Sequence, residues 1–457
     1  MSGQRIVDSE LTLEELSART GEPVEGLRRW RELGLIGAGD RFRPEDVERA
    51  RLVQLLLRRG IEAEAIAQKN EKKEFLNRHL SLVFPQGVGP TYSLAEAAEI
   101  LGLDLDLLRR IREASGLSQE GETLDDEDVA ELERAKTRLD AGYPLEALLQ
   151  VLRVRCDTLG RAAEAAQRAF HIYVHERLVA AGMSPEELDA TLKAIGDRIL
   201  PLVEPSILYF YRKGYARALR EDMVLHMAEE AGLLAVSEVP GQLTRAMAFI
   251  DLSSFTPLAE AMGDAKAAEV LERFSALVRQ SAGRWEGRVV KQIGDAFMLV
   301  FPDARSAVAC TMEAEAKTSD EPSFPAARAG IHWGQVLYRE GDYVGSNVNI
   351  AARVAAEAER HQVLVTAAVR NESKGLPGVE FVRLGKRRLK GLTSELVLFE
   401  ARAAGAQATE QHIDPVCGME MGPDEVAARL TLEGMEHAFC SDDCLRRYVA
   451  APEKYSV

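Results

Sequence analysis

An apolar run in the second half of the chain ends in a carboxylate that could take part in phosphate chemistry. In AMAFIDLSSFT (246–256), Asp251 ends a run of strand type and is followed by small residues. A carboxylate at a strand end lies beside backbone N–H groups that are free to meet phosphate. Asp and Ser are also common helix N-caps. The segment alone leaves both interpretations open.

A second candidate pair surrounds a tight Gly-Asp turn. The stretch GRVVKQIGDAFMLVF (287–301) has two apolar runs separated by two residues, which predicts a hairpin with Asp295 at its tip. Turn formation alone would also explain Asp295. Lys291 is harder to explain, because a strand lysine between Val and Ile needs solvent at a sheet edge or a specific acceptor.

A third stretch, GDYVGSNVNIAARVAAEAER (341–360), predicts a loop followed by a helix. Asn349 and Arg353 are four residues apart and therefore share one helix face. The alanines around them would let another surface approach closely, and Asp342 lies in the loop before the helix. Asn and Arg at this spacing are common on solvated faces, so the pattern alone carries little weight.

The elements that must position these residues form an α/β domain. Strand-like and helix-like runs alternate after about residue 243, which predicts a mixed sheet. The predicted strands are 246–252, 288–293, 296–301 and 326–333, and the predicted helices are 264–282, 303–317 and 347–360.

The first half of the chain reads as helical and contains a repeat. Residues 11–36 are echoed by 92–117, and residues 43–66 are echoed by 124–148, which indicates one small helical module used twice. Longer helices follow from about 150 to 235. His171 and His175, four apart there, could bind a metal, although partly buried helix histidines are the simpler interpretation.

Composition limits the classes of function. The chain has 457 residues, enough for about three domains. Its net charge of −16 argues against a chain-wide nucleic-acid or anionic-membrane surface, and a polyanionic substrate would need metal ions or a local cationic site. No run is long and apolar enough to span a bilayer, and no signal peptide is evident. Five cysteines do not make a disulfide scaffold, so we expect a soluble, cytoplasmic protein.

Residues 243–402 resemble the catalytic homology domain of class III nucleotidyl cyclases. The motifs that carry the resemblance occur in the family's order and spacing: FIDLSSFT, GRVVKQIGDAFMLVF, RAGIHWGQV, GDYVGSNVNIAARV and RRLKGL. The resemblance implies a ferredoxin-like α/β fold and a metal-dependent cyclisation of a nucleoside triphosphate. It implies that Asp251 and Asp295 hold two divalent cations, Mg²⁺ or Mn²⁺.

The same resemblance assigns the substrate contacts. Lys291 and Asp342 would read the purine, and a donor with an acceptor suits adenine, so the pair favours ATP over GTP. The resemblance also implies that Asn349 orients the ribose and that Arg353 stabilises charge on the α-phosphate. Lys390 and Thr256 match further substrate-binding positions.

The resemblance also predicts the assembly. Family members place the metal aspartates on one subunit and the Asn and Arg on the other. This chain has one such domain, which carries the two metal aspartates, the two purine-binding residues and the Asn and Arg together. We therefore expect a head-to-tail homodimer with two shared sites.

The flanking segments resemble two other families. Residues 27–66 resemble the winged helix-turn-helix of MerR-type regulators, and the second copy is a weaker match. DNA binding would need a cationic recognition face. The first module has nearly balanced charge, so we favour dimerisation and autoinhibition over DNA binding. The span 92–235 resembles the N-terminal regulatory region of some soluble bacterial cyclases.

The last segment resembles a YHS domain, related to small treble-clef metal-sensing modules. Cys417, Cys440 and Cys444 could hold Zn²⁺ or another transition metal, and a metal would stabilise so short a segment. Three thiolates leave one position for His437 or His412. A small apolar fold with free thiols is the alternative.

These observations predict a multidomain protein with an all-α N-terminal half, an α/β cyclase domain and a small Cys-containing module. We expect an adenylate cyclase that makes 3′,5′-cyclic AMP, regulated by its N-terminal region. The alternatives are a DNA-binding regulator that senses nucleotide and a guanylate cyclase. The predicted segments are 1–84, 85–150 (both helix-turn-helix-like), 151–240 (regulatory helices), 241–402 (cyclase), 403–413 (linker) and 414–457 (YHS).

Overall fold

The computed structural model divides the chain into two compact units, residues 1–208 and 209–457. The residues described here are 10–455 except 74, 78–79, 81–90, 118–123, 233–236, 238, 322–323, 393, 406–411, 423–424 and 433–434. The predicted boundary at residue 84 and the centre of the predicted linker 403–413 lie outside the described residues.

The first unit is helical, as predicted, and one arrangement of helices occurs twice. Its helices are α1 Leu13–Thr20, α2 Val24–Glu32, α3 Pro44–Arg58, α4 Ala63–Lys73, α5 Leu94–Leu101, α6 Leu105–Ala114, α7 Asp126–Asp140 and α8 Leu145–Phe170. Thr12 and Ser93 each begin a copy with a capping box, in which side chain and backbone satisfy each other's donors. Backbone bridges close the two copies at Leu11–Phe42 and Tyr92–Leu124.

Helix continues after the repeat. α8 runs on through a π-helical turn, His171–His175, into the short α9 Glu176–Ala180, and the long α10 Pro185–Glu230 follows. The His171 and His175 rings stack with centroids 4.8 Å apart. Neither belongs to a group of three potential metal ligands among the described residues. The structure therefore gives no support to a metal site at this pair.

The second unit contains the predicted mixed sheet. Its strands lie in the order β2-β3-β1-β4-β6-β8-β7, with β5 paired to β4. The strands are β1 Gln242–Leu252, β2 Arg288–Ile293, β3 Ala296–Phe301, β4 Ala327–Arg339, β5 Asp342–Val344, β6 Val363–Thr366, β7 Val379–Arg387 and β8 Leu396–Ala403. Only the β4–β6 pair is parallel among these pairings of the described residues.

Helices cover both faces of the sheet because side chains alternate along each strand. The helices are α11 Phe255–Met262, α12 Asp264–Arg284, α13 Ala304–Ser319, α14 Ser346–Glu357 and α15 Ala367–Glu372. Ala248 and Ile250 pack in the cluster that contains α12 and α13. Met247 lies next to Ala248 on β1, so its side chain is on the opposite face of the sheet, where it packs with Val348 of α14.

The C-terminal segment forms two small antiparallel ribbons and a helix. These are β9 His412–Ile413, β10 Glu420–Met421, β11 Ala428–Leu432, β12 Met435–Phe439 and α16 Asp442–Ala450. Several of its apolar side chains, among them Val416 and Phe439, belong to the same buried cluster as the α12–α13 face of the sheet. The segment is therefore packed onto the α/β domain rather than attached only by its linker.

Among the described residues, we find no helix whose length and apolar content would let it cross a bilayer.

The close packing of α14 on the sheet predicts the effect of one methyl group. In Gly330→Ala, the new Cβ would lie 2.0 Å from the backbone nitrogen of Ala355, so α14 must move. We expect a loss of about 3 kcal/mol in unfolding free energy, measured by urea denaturation. The matched control is Gly283→Ala on α12, where nothing lies within 4 Å. That change should leave stability equal or raise it by up to about 1 kcal/mol. Equal stability of the two variants would contradict the packing described here.

Candidate active site

The two aspartates come together where β1 ends beside the β2–β3 turn. β1 and β3 pair with Ile250 opposite Phe297, so the turn residue Asp295 lies next to the end of β1. Burial, and then the negative charge of Asp251, raise the pKa of Asp295. The arrangement places two carboxylates in one partly buried site, where a cation would relieve their repulsion.

Arg328 completes this site, and the sequence analysis missed it. Arg328 lies directly opposite Asp251 in the β1–β4 register. Its Nε and Nη2 donate to the two Asp251 oxygens at 2.7 and 3.1 Å. These bonds raise the pKa of Arg328. An arginine near the start of an otherwise apolar strand, in RAGIH, was the available signal.

The interpretation of Asp251 as a helix cap is wrong. Ser254 occupies the N-cap of α11, with φ 61°, and its side chain makes no capping bond. The preceding residue, Ser253, is buried, and its Oγ has no hydrogen-bond partner within the described part of the chain. The chain after Asp251 therefore turns sharply into α11, and the Asp251 carboxylate pairs with Arg328 instead of capping the helix.

The proposed purine readers also meet. β2 is an edge strand, and Lys291 on it donates from Nζ to Asp342 Oδ2 at 2.5 Å. The other Asp342 oxygen accepts from the Tyr343 backbone N–H at 2.8 Å. Lys291 therefore has the specific acceptor that the sequence called for. Both side chains are partly exposed, so a planar base that offers an acceptor and a donor could reach them.

Asn349 and Arg353 lie on the outer side of α14. The helix buries Val348, Ala351 and Val354 against the sheet and leaves both polar side chains exposed. Over the residues described, neither forms a hydrogen bond or ion pair with Asp251 or Asp295. In the described part of the structure, no direct polar contact therefore joins these side chains to the aspartates of their own chain.

The two remaining substrate candidates are exposed. Thr256 lies in the first turn of α11, and Lys390 lies in the connection between β7 and β8, next to the buried Leu389. Both are accessible to a ligand, and their roles stay predictions.

The C-terminal cysteines converge. The Sγ atoms of Cys417 and Cys440 are 3.5 Å apart, and those of Cys440 and Cys444 are 3.7 Å apart. Asp414, absent from our prediction, joins them, and the four ligand atoms lie within 4.8 Å of one another. Hydrogen bonds from the Cys417 and Cys440 thiols lower the pKa of Cys444, while contacts within the same group and burial hold the pKa of Cys417 and of Cys440 above the ordinary value. Cys444 is therefore the thiol of the cluster that ionises first.

The expected histidine ligands are wrong, because both histidines have other partners. His437 Nε2 lies 3.2 Å from the Tyr448 hydroxyl, and His412 Nε2 lies 3.5 Å from Arg429. Neither joins the cysteine group among the described residues. Asp414 instead accepts backbone hydrogen bonds from Val416, Cys417 and Cys440, which shapes the turn that carries the first thiol.

Helix α2 of the helix-turn-helix module presents no unpaired arginine among the described residues. The arginines of α2 each pair with a carboxylate: Arg28 with Glu25 at 3.0 Å, Arg29 with Glu64 at 2.5 Å and Arg31 with Asp40 at 3.3 Å. Paired charges offer little excess potential to a phosphate backbone. This observation disfavours the DNA-binding alternative.

Four family models match the chain. They are the MerR helix-turn-helix family regulatory protein (11–72), the adenylate cyclase regulatory domain (43–211), the adenylate and guanylate cyclase catalytic domain (242–401) and the YHS domain (412–456). The catalytic match contains every candidate residue on the strands and helices of the sheet.

Curated relatives match most of the chain. A pH-sensitive adenylate cyclase of Mycobacterium tuberculosis is 30% identical over 371 residues, 78% of this chain and 88% of the relative. An adenylate cyclase of Streptomyces coelicolor is 27% identical over 289 residues, 63% of this chain and 72% of the relative. Among solved structures, a monomeric adenylate cyclase of Trypanosoma brucei is 22% identical, covering 38% of this chain and 95% of that one, with a TM-score of 0.34.

The carboxylate pair predicts a cation-dependent change in stability. We expect Mn²⁺ to raise the thermal unfolding midpoint of the wild-type chain, because a ligand of the folded state stabilises it. Asp295→Asn should abolish that increase. Without metal the variant should be at least as stable as wild type, since the carboxylate is buried beside Asp251. The control is Asp303→Asn at the N-cap of α13, which should leave the midpoint close to wild type, because Asn caps a helix about as well as Asp, and should keep the Mn²⁺ increase. An undiminished Mn²⁺ effect in Asp295→Asn would contradict the site.

Proposed function

The chain belongs to the adenylate and guanylate cyclase family, and we propose that it converts ATP to 3′,5′-cyclic AMP and pyrophosphate. The observation that supports this reaction best is the carboxylate pair of Asp251 and Asp295 at the end of β1. The Lys291–Asp342 pair in the same domain supplies a donor and an acceptor for a base.

The residues at the carboxylate pair fit two divalent cations. Their donors are hard oxygens, and the raised pKa of Asp295 reflects burial and a repulsion from Asp251 that Arg328 offsets only in part. Bound there, the cations would neutralise the triphosphate, lower the pKa of the ribose 3′-hydroxyl and stabilise the leaving pyrophosphate. Arg328 would then exchange part of its pairing with Asp251 for the phosphate oxygens, which it can bind with two N–H groups.

Lys291 and Asp342 select adenine over guanine. The lysine would donate to the acceptor N1 of adenine, and the aspartate would accept from its exocyclic amine. Guanine presents the reverse pattern on that edge, so it would place a donor against Lys291 and an acceptor against Asp342. Because the two side chains already pair with each other, only a base that satisfies both can replace that pairing without loss.

Asn349 and Arg353 would act on the substrate held by a second copy of the chain. Asn349 would orient the ribose, and Arg353 would stabilise charge on the α-phosphate in the transition state. Their exposure on α14, and their lack of a described contact with the aspartates of their own chain, support a homodimer with two shared sites. Thr256 and Lys390 would contribute further contacts to the substrate.

The long helix α10 offers a surface for that dimer. None of its residues is buried, although large apolar side chains are frequent from residue 199 onward. Exposed examples are Leu202, Tyr209, Phe210, Tyr211, Tyr215, Met223, Val224 and Met227. An exposed apolar surface of this kind on a helix favours pairing with a second copy. We propose that this region dimerises the chain and that the N-terminal helices regulate the catalytic domain through it.

The C-terminal module would hold Zn²⁺ or another thiophilic metal in a treble-clef-like arrangement. Three thiols and one carboxylate make a four-ligand set of the kind that zinc accepts. The small size of the module also favours a structural metal.

The reaction predicts both selectivity and complementation. With Mn²⁺, the purified chain should form cyclic AMP from ATP much faster than cyclic GMP from GTP, as read by chromatography. Asp251→Ala and Arg353→Ala should each lower turnover by at least ~100-fold. Mixing the two variants should restore about one quarter of wild-type activity, since half of the random dimers then contain one intact site.

The control for complementation uses two changes in the same half of the site. A mixture of Asp251→Ala and Asp295→Ala chains should stay inactive, because no pairing restores both carboxylates to one site. If the Asp251→Ala and Arg353→Ala chains form mixed dimers that remain inactive, the shared site is wrong. If wild-type dimers make no cyclic AMP, the proposed reaction is wrong.

The cysteine cluster predicts a single thiolate metal site. The full chain should bind about one Zn²⁺, and Co²⁺ in its place should show sulfur-to-metal charge-transfer absorption. Cys440→Ser should weaken Zn²⁺ binding by at least ~10-fold. Cys156→Ser, a half-buried thiol outside the cluster, is the matched control and should leave binding unchanged. Equal Zn²⁺ affinity in all three proteins would contradict the site.

A further inference from the structure

The C-terminal module contacts the segment that directly follows Asp251 in the sequence. Gly418, at φ 70°, follows the first cysteine of the module and lies against Ser254. A Cβ at position 418 would lie 2.4 Å from the Ser254 Cβ, so the backbone of the module approaches as closely as glycine allows. Ser254 lies three residues after Asp251 and begins α11.

Arg360 ties the two sides of this contact together. Its Nη2 donates to Ser254 Oγ at 2.7 Å. Its Nη1 donates to the Gly418 carbonyl at 2.9 Å and to Glu420 Oε1 at 3.2 Å. The guanidinium is largely buried, and the Glu420 side chain is more so. One side chain of the catalytic domain therefore bridges the loop after Asp251 and the C-terminal module.

The next residue, His361, strengthens the same contact. Its Nδ1 lies 2.8 Å from Glu315 Oε1, and its Nε2 bonds Glu420. The hydrogen bond to Glu315, and then the hydrogen bond to Glu420, raise the pKa of His361 to about 9, so the ring is cationic between two carboxylates at neutral pH. His361 holds φ 55°, a backbone region that costs a non-glycine residue energy.

Backbone strain is concentrated at this contact. Over the residues described, the non-glycine positions with positive φ are Ser254, Glu286, Glu340 and His361. Two of the four meet the C-terminal module here. Strained conformations persist where surrounding contacts determine them, which indicates that the module helps to hold the Ser254 turn.

We infer that Arg360 is a positioning residue for the reaction: through Ser254 it holds the loop after Asp251 against the C-terminal module. Docking of the module would thereby set how tightly the Asp251–Asp295 pair binds a divalent cation and the triphosphate. The inference rests on the proposed cyclase function and extends it to control of the same site by the C-terminal segment.

The test compares four full-length variants with wild type: Arg360→Ala, Arg360→Lys, Ser254→Ala and the double change Arg360→Ala/Ser254→Ala. Three quantities are measured: the Mn²⁺ concentration for half-maximal activity, calorimetric affinity for Mn²⁺ with a non-cyclising ATP analogue, and hydrogen exchange of residues 251–258. We expect Arg360→Ala to weaken cation affinity by about 10-fold and to speed exchange, as removal of outer contacts to a metal site does. Arg360→Lys should recover part of the loss.

The double variant separates positioning from general destabilisation. If Arg360 acts through Ser254, the double variant should be no weaker in cation affinity than the poorer single variant. Arg305→Ala is the matched control, because Arg305 donates to the carbonyls of Lys374 and Gly375 within the same domain. It should leave cation affinity unchanged.

Two results would overturn the inference. One is wild-type cation affinity and exchange in Arg360→Ala. The other is a lowered unfolding midpoint with unchanged cation affinity, which would mean a structural role only. A wild-type chain that makes no cyclic AMP would refute the proposed reaction, while the calorimetric and exchange comparisons would still decide the positioning role.

Discussion

The repulsion between Asp251 and Asp295 is the constraint on which the rest of the catalytic domain depends. Antiparallel pairing of β1 with β3 brings the end of one strand to the turn of the other. The raised pKa of Asp295 reflects first its burial and then its neighbour's charge. A fold that places like charges together in a partly dry site creates a position where a cation is strongly favoured.

Two further charged groups near the site are paired within the same chain. Arg328 pairs with Asp251, and Lys291 pairs with Asp342. A cation must therefore compete with a guanidinium, and a base must replace an ion pair. The binding free energy of each ligand is therefore only the difference between its contacts with the protein and the ion pair that it replaces, which supports selectivity more than affinity. Arg353 is exposed on α14, where the proposed shared site would let it contact a substrate held by a second chain.

The C-terminal module is part of the same structural unit as the sheet. Its apolar residues join the core on the α12–α13 face, and its polar contacts, through Arg360 and His361, reach the turn after Asp251. A metal bound at Cys417 would lie one residue from Gly418, which touches Ser254. The proposed thiolate metal site and the proposed cyclase site are thus close together in space.

The sequence determined the local elements and the residue types within them. The predicted strands 288–293 and 296–301 coincide with β2 and β3, and the Gly-Asp hairpin forms as expected. Such features depend on near neighbours along the chain, whose pattern the sequence displays directly. The same holds for the helical repeat and for Lys291, whose need for an acceptor was evident from its apolar flanks.

The tertiary structure alone decided which distant groups pair. Arg328 lies 77 residues from Asp251, Arg360 lies 106 residues from Ser254, and Asp414 lies 26 residues from Cys440. It also assigned His437 and His412 to other partners than the cysteines. The hydrophobic periodicity of the sequence does not predict these long-range contacts, because strand register and domain packing determine them only after the local elements have formed.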